Sequence, residues 1–179
     1  MEDIVPDVVD SVPKGRLQVM YGGNLFVEQG NALTPTQVKD EPKVTWESDE
    51  GQERDTLLTL LMVDPDAPSR ADPEFREILH WAMVNIPGDD PCRGYALAEY
   101  IGAGPPLNTG LHRYVFLLYR QREKIEQTAT IPKTIRKGRL NFSARDFASK
   151  HRLGSPIAAN YFQAQYDDYV PIRNKLFTG

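Results

Sequence analysis

The chain has 179 residues, 40% hydrophobic and 26% charged, with a formal charge of -4. That is the length and balance of one soluble globular domain, residues 1–179, and without a positive surplus it lacks the electrostatic footprint of general nucleic-acid binding. Fourteen prolines and thirteen glycines exclude a simple helical bundle.

In chain order, residues 4–13 (IVPDVVDSVP) read as a helical turn or an extended arm. Leu17 to Tyr21 and Leu25 to Glu28 read as a hairpin, because Gly22 and Gly23 between them supply the positive φ of a tight turn. A polar loop leads to a short strand at Lys43 to Trp46, and the acidic stretch Glu47 to Asp55 reads as a solvent loop. Leu57 to Val63 is a continuous apolar run, the pattern of a strand buried on both faces. It breaks into Asp64-Pro65-Asp66-Ala67-Pro68, where the prolines stiffen the loop and hold Asp64 and Ala67 extended. The segment ADPEFRE has room for one helical turn.

His80 to Ile86 is the next strand, with His80, Ala82, Val84 and Ile86 on one face and Trp81, Met83 and Asn85 on the other. Arg93 to Tyr100 is ambiguous. A loop rich in glycine and proline, Ile101 to Gly110, precedes Leu111 to Tyr119, the strongest strand pattern in the chain. After an irregular polar stretch, Ser143 and Asp146 form a capping box for a helix carrying Phe147, Ala148, His151 and Leu153, with Gly154 as its stop. Ile157 to Tyr166 reads as a final strand, DDYVP as a turn, and Ile172 to Phe177 as a short terminal helix. Strands separated by long loops, with few helices and one of them late, give a mainly β fold built on an antiparallel sheet.

Polar chemistry gathers where buried strands meet stiff loops. Asp64, Asp66, His80 and His112 are the candidate site residues, with the loop from Gly102 to Gly110 beside them. Backbone amides in a glycine-rich loop can hold an anion, and a protonated histidine adds a charge-assisted hydrogen bond. The pattern suits a small phosphate-bearing ligand, with affinity rising as His80 and His112 protonate. The carboxylates orient the histidines or accept from a ligand amine. Two His and two Asp could instead serve a divalent metal or a hydrolase, although no HExxH spacing and no G-x-S-x-G elbow is present. The basic run Lys133 to Arg139 reads as a solvated loop, and Cys92 as an incidental thiol. The lone cysteine, the acidic start and the lack of an apolar run near 20 residues make the cytosol the expected location.

DPDAPSR, REILHW, GAGPPLNTGLHRYVF and DDYVP, in that order, resemble the phosphatidylethanolamine-binding protein family, in its animal branch, over about Ile4 to Lys175. The resemblance implies a Greek-key-type antiparallel sheet packed on a smaller sheet with few peripheral helices. It also implies a non-enzymatic binding protein without cofactor, whose pocket takes phosphate or phosphoethanolamine-type groups. The pocket residues it implies are Asp64, Asp66, Pro68, His80, Gly102, Gly104, Pro106, His112 and Tyr114, with a cis bond at Ala67-Pro68. Partners would be a protein kinase or another signalling protein, with peripheral membrane contact at most; inhibition of a protease through surface loops is an alternative. Phe75, Ile78, Leu79 and Asn174 depart from the family's usual residues and alter one wall of the pocket.

Overall fold

The apolar run at the centre of the chain is the centre of the fold. The computed structural model describes residues 1–47 and 56–179, and in it Leu57–Asp64 (β5) lies between Ile78–Pro87 (β6) and His112–Arg120 (β8), antiparallel to both. Its alternate residues feed two cores, which is why the run shows no polar face. Tyr95–Ala98 (β7) pairs with β6, resolving the ambiguous stretch as a strand. The order β8-β5-β6-β7 is a Greek key, three consecutive antiparallel strands with a fourth returning beside the first. Ala158–Ala164 (β9) adds to β8 antiparallel, and Gly15–Arg16 (β1) closes the sheet on the β9 side. That last pair is parallel, so the sheet is mixed rather than wholly antiparallel: the N-terminal arm runs along β9 instead of folding back from it.

Gln18–Tyr21 (β2) pairs antiparallel with Leu25–Phe26 (β3) through the glycine turn, and with Lys43–Thr45 (β4), forming the smaller sheet. One core lies between the sheets and includes Val19, Tyr21, Val44, Leu60, Met62, Trp81, Phe116 and Phe162. The second covers the opposite face of the large sheet, where Leu61, Val63, Val84, Val115 and Leu117 meet the arm residues Ile4, Val8 and Val9 and the helix residues Ala144 and Ala148. That helix, Ala144–Lys150 (α1), starts where the capping box places it, with Ser143 Oγ accepting from the Asp146 amide at 3.1 Å. It ends before Gly154; Arg152, at φ 53°, already leaves the helical region.

Three sequence expectations need correction. In β6, Leu58 pairs with Ile86 but Leu60 with Met83, and Met62 pairs with Trp81 but Val63 with Leu79. Each shift inserts an extra residue, a bulge that breaks strict alternation. Ile86 therefore joins Trp81 and Met83 in the core between the sheets, while Ala82 and Val84 face the arm and α1. His80 goes with Tyr114 rather than with Ala82 and Val84. The terminal helix, Tyr169–Asn174 (α2), starts within DDYVP. Pro171 is tolerated there because first-turn amides need no intrahelical acceptor. The ADPEFRE segment forms turns, closed by Asp72 N–H to Ser69 O and Arg76 N–H to Pro73 O, with no helical turn. The acidic loop expected at Glu47 to Asp55 lies, beyond Glu47, outside the described residues.

Candidate functional site

Strand parity divides the polar residues of β5 and β8. Tyr114, Phe116 and Leu118 point between the sheets, and Val115, Leu117 and Tyr119 point to the arm and α1. His112 therefore shares a face with Tyr114, and Arg113 takes the other. At the end of β5, Asp64 meets His112, with Oδ2 2.9 Å from Nδ1 in a fully buried pair. Asp64 Oδ1 accepts the Asp66 amide at 2.7 Å, which fixes the carboxylate's orientation. Burial raises the Asp64 pKa above the usual carboxylate value, and the hydrogen bond from His112 opposes that rise. On the other ring nitrogen, Nε2 of His112 lies 2.9 Å from Thr109 Oγ1, which lies 2.8 Å from the Pro106 carbonyl. The single Thr109 proton serves either the carbonyl or the imidazole, so its rotation accompanies any change in the charge of His112.

His80 is held by one residue on two sides. The Ile101 amide donates to His80 O at 2.9 Å, and the Ile101 carbonyl accepts from His80 Nδ1 at 2.9 Å. Because a carbonyl only accepts, Nδ1 carries the proton and Nε2 is an acceptor. Burial first, and then the Arg173 guanidinium, push the His80 pKa down to about 3; the Ile101 bond opposes this, while Arg139 and His112 add to it. The expected imidazolium at His80 is thus corrected: in the free protein this ring is neutral. It stands edge-on to the Tyr114 ring, centroids 5.1 Å apart, and Tyr114 stacks on Phe162 at 5.0 Å. Among the described residues, the Tyr114 hydroxyl is buried without a hydrogen-bond partner. The Gly104 amide approaches it without hydrogen-bond geometry, and Asp64 and Arg173 are close enough to act on it through their charge.

Two buried or half-buried cations border the cluster, and sequence reasoning missed both. Arg173 on α2 donates Nε–H to the Gly102 carbonyl at 2.9 Å and Nη1–H to Asn174 Oδ1 at 3.1 Å, and its guanidinium lies over Gly104 so closely that a Cβ there would collide with it. Arg139, 1% exposed, donates to the carbonyls of Leu79, Glu99, Ile131, Pro132 and Ile135. It is anchored from within the basic run read as a solvated loop. The signal for both is weak because their acceptors are mostly backbone carbonyls, which no side-chain pattern marks: Arg173 reaches Gly102, 71 residues away, and Arg139 reaches Glu99, 40 residues away.

The structure therefore brings together Asp64, His80, Gly102, Gly104, His112 and Tyr114, with Pro106 joined through Thr109. Asp66 and Pro68 stand differently. Both Asp66 oxygens are engaged by Arg113, with Oδ2 accepting Nε–H at 2.8 Å and Oδ1 accepting Nη2–H at 2.6 Å, on the arm side of the sheet. Pro68 is half-buried in the same loop, joined to Ala67 by a cis bond. Of the altered wall, Phe75 is 39% exposed, Ile78 opens β6 opposite Asp64, and Asn174 orients Arg173. Among the described residues no three His, Cys, Asp or Glu side chains converge as metal ligands would, and no helix is long and apolar enough to cross a membrane.

Gly102 gives the site its tightest backbone contact. A Cβ added there would lie 2.8 Å from the Val38 carbonyl oxygen and 3.1 Å from the Lys39 Cα, both backbone atoms that cannot rotate away. Gly102→Ala is expected to cost about 1–3 kcal/mol in urea unfolding; an unchanged midpoint would show that the loop relaxes freely.

A family model for phosphatidylethanolamine-binding protein matches residues 12–162. A Drosophila melanogaster protein named odorant-binding protein A5 is 35% identical over 178 residues, 99% of this chain and 83% of that protein. The solution structure of CG7054 is 67% identical, covers 100% of both chains and superposes with a TM-score of 0.81. A carboxypeptidase Y inhibitor, crystallised with its cognate proteinase, is 27% identical across 87% of this chain and 85% of its own, with a TM-score of 0.72. With a family model over most of its length and a curated relative across nearly all of it, the chain belongs to the phosphatidylethanolamine-binding protein family.

Proposed function

We propose that the chain is a cytosolic, non-enzymatic binding protein whose His80, His112 and Tyr114 cluster takes a phosphate or phosphoethanolamine-type group. In this reading occupancy modulates signalling through a protein kinase or another protein partner. The observation that carries it is the Tyr114 hydroxyl, buried with no hydrogen-bond partner among the described residues at the junction of both histidines and the glycine loop. An unpaired buried hydroxyl costs about 1–3 kcal/mol, and a ligand oxygen accepting from it removes that cost. The acceptor Nε2 of neutral His80 complements it, because a phosphoethanolamine group brings an ammonium as well as phosphate oxygens. Lipid recognition is then recognition of a headgroup at a membrane surface.

Calorimetric titration with phosphoethanolamine in phosphate-free buffer tests this. Saturable binding by the wild type, weakened about tenfold or more by His112→Ala and indifferent to chelator, is the expected result; tenfold corresponds to about 1.4 kcal/mol, the scale of one hydrogen bond. Binding abolished by chelator would point to a metal at the site and reopen the Asp/His enzyme reading.

The likeness to a carboxypeptidase Y inhibitor supports a second reading, protease inhibition through surface loops. A carboxypeptidase Y assay would then show inhibition that loop substitutions relieve and His112→Ala leaves intact.

A further inference from the structure

The charges around the pocket are unbalanced. Asp64 is engaged with His112, and Asp66 with Arg113. Arg173 and Arg139, in contrast, are hydrogen-bonded to carbonyl oxygens and one side-chain amide, and neither forms a salt bridge among the described residues. A cation withdrawn from water with only neutral acceptors around it is a standing cost, which an anion at the same place relieves.

Arg173 is also the better placed of the two. Its Nε and Nη1 are used, while Nη2 donates to nothing among the described residues. Its guanidinium lies over Gly104, whose amide approaches the unpartnered Tyr114 hydroxyl. The Arg173 guanidinium, Gly104 and the Tyr114 hydroxyl are thus neighbours beside the exposed rim of the glycine loop, and the charge of Arg139 acts on His80 from nearby. That donor set outnumbers the two non-bridging oxygens of a phosphodiester and matches the three terminal oxygens of a monoester. Arg173, on which no carboxylate is seen to act, supplies the positive charge that meets its second negative charge.

Resting on the anion-site reading above, we propose that Arg173 is the specificity-determining residue of the pocket and selects dianionic phosphate monoesters over singly charged phosphodiesters. The titratable and charged groups facing it are Tyr114 on β8, Tyr100 before the glycine loop, Tyr169 on its own helix and Arg136 from the basic loop. His80 faces it from β6, with Arg139, His112 and the partner of His112, Asp64, beyond. Tyr100 and Tyr114 have pKa values raised by burial, and the arginines stay cationic, so these groups hold their charge across pH 5–8 while the ligand passes through its second ionisation, centred near a pKa of about 6. Affinity for a monoester then rises with pH, the reverse of what histidine protonation alone would give.

The test compares wild type, Arg173→Gln and Arg173→Lys by calorimetry at pH 5.0 and 7.5 in phosphate-free buffer. Phosphoethanolamine and inorganic phosphate are the small dianions, and glycerophosphoethanolamine, a deacylated lipid headgroup, is the diester. Wild type is expected to bind phosphoethanolamine about tenfold more tightly than the diester at pH 7.5, a preference that disappears at pH 5.0. Arg173→Gln removes the preference and the pH dependence while still binding the diester, and Arg173→Lys restores part of both. Equal monoester affinity in wild type and Arg173→Gln, with both folded by circular dichroism, overturns the role of Arg173 and leaves the anion site standing. Failure of wild type to bind any of the three removes the anion site and this proposal together.

Discussion

Asp66→Ala is expected to destabilise the protein by about 3–5 kcal/mol, the range for removing one partner of a buried ion pair, and to lower its melting midpoint on the order of 10 °C. Asp66 is 1% exposed and Arg113 2%. One carboxylate accepts the Arg113 amide at 2.9 Å, Nε–H at 2.8 Å and Nη2–H at 2.6 Å, tying the loop after β5 to β8 by backbone and side chain together. Arg113 also donates from Nη1 to the Asp3 carbonyl and from Nη2 to Asp7 Oδ2 at 2.6 Å. Asp7 is itself paired with Arg76 at 2.9 Å. Its carboxyl is held below the usual range by Arg113 and Arg76 in spite of desolvation. Deleting the Asp66 carboxylate leaves Arg113 buried with the Asp3 carbonyl and the exposed Asp7 carboxylate, so the arm that covers the second core loosens as well. Urea unfolding measures the loss, and phosphoethanolamine titration of the folded variant separates the two roles open to Asp66. A large loss of stability with binding retained is the outcome expected from the geometry. Unchanged stability with binding lost would make Asp66 a ligand-binding group, as the family resemblance implies.

This aspartate shows where reading the sequence reaches its limit. The buried run Leu57 to Val63, the Ser143 cap and the glycine hairpin are local patterns, and each appears where periodicity or turn chemistry places it. That Asp64 and His112 belong to one polar cluster was legible from their places beside apolar strands; which carboxylate orients which histidine was not. The split between Asp64 and Asp66 was not. Two carboxylates in one short loop look equivalent in a string of letters, but β8 presents His112 to one side of the sheet and Arg113 to the other, and each captures a different one. The bulges in β6 were hidden for a similar reason, because HWAMVNI alternates well enough to suggest an unbroken strand. Asn85 at φ 56° marks one break, and asparagine's tolerance of that conformation was the available signal. Arg139 and Arg173 were out of reach because their partners are mostly backbone carbonyls, which every residue carries.

The histidine that the sequence casts as a charged anion binder is expected to show itself instead in the acid limb of the stability profile. His80 is neutral in the folded protein down to about pH 3 but protonates near 6.5 once unfolded. Below pH 6.5 the unfolded chain therefore holds a proton that the native state lacks, and stability falls as the pH falls. The contribution is fully present above pH 6.5 and declines by about 1.4 kcal/mol per unit until the folded pKa is reached. Between pH 7 and about 4.5 this amounts to roughly 3 kcal/mol. Asp64 and Glu77 work in the opposite sense. Burial raises both above their ordinary values, against the hydrogen bonds from His112 and the Ala144 amide, so their native forms take up protons first and gain stability on acidification. The wild-type slope contains all three groups; its difference from His80→Gln isolates the imidazole, and the glutamine amide keeps a donor for the Ile101 carbonyl. Urea unfolding from pH 7 to 4.5, without phosphate, should give slopes differing by close to one proton, the wild type being the more acid-sensitive. Coincident slopes would mean that His80 is already charged in the native state, and the field of Arg173 and Arg139 at its ring would have to be screened by a group outside this cluster.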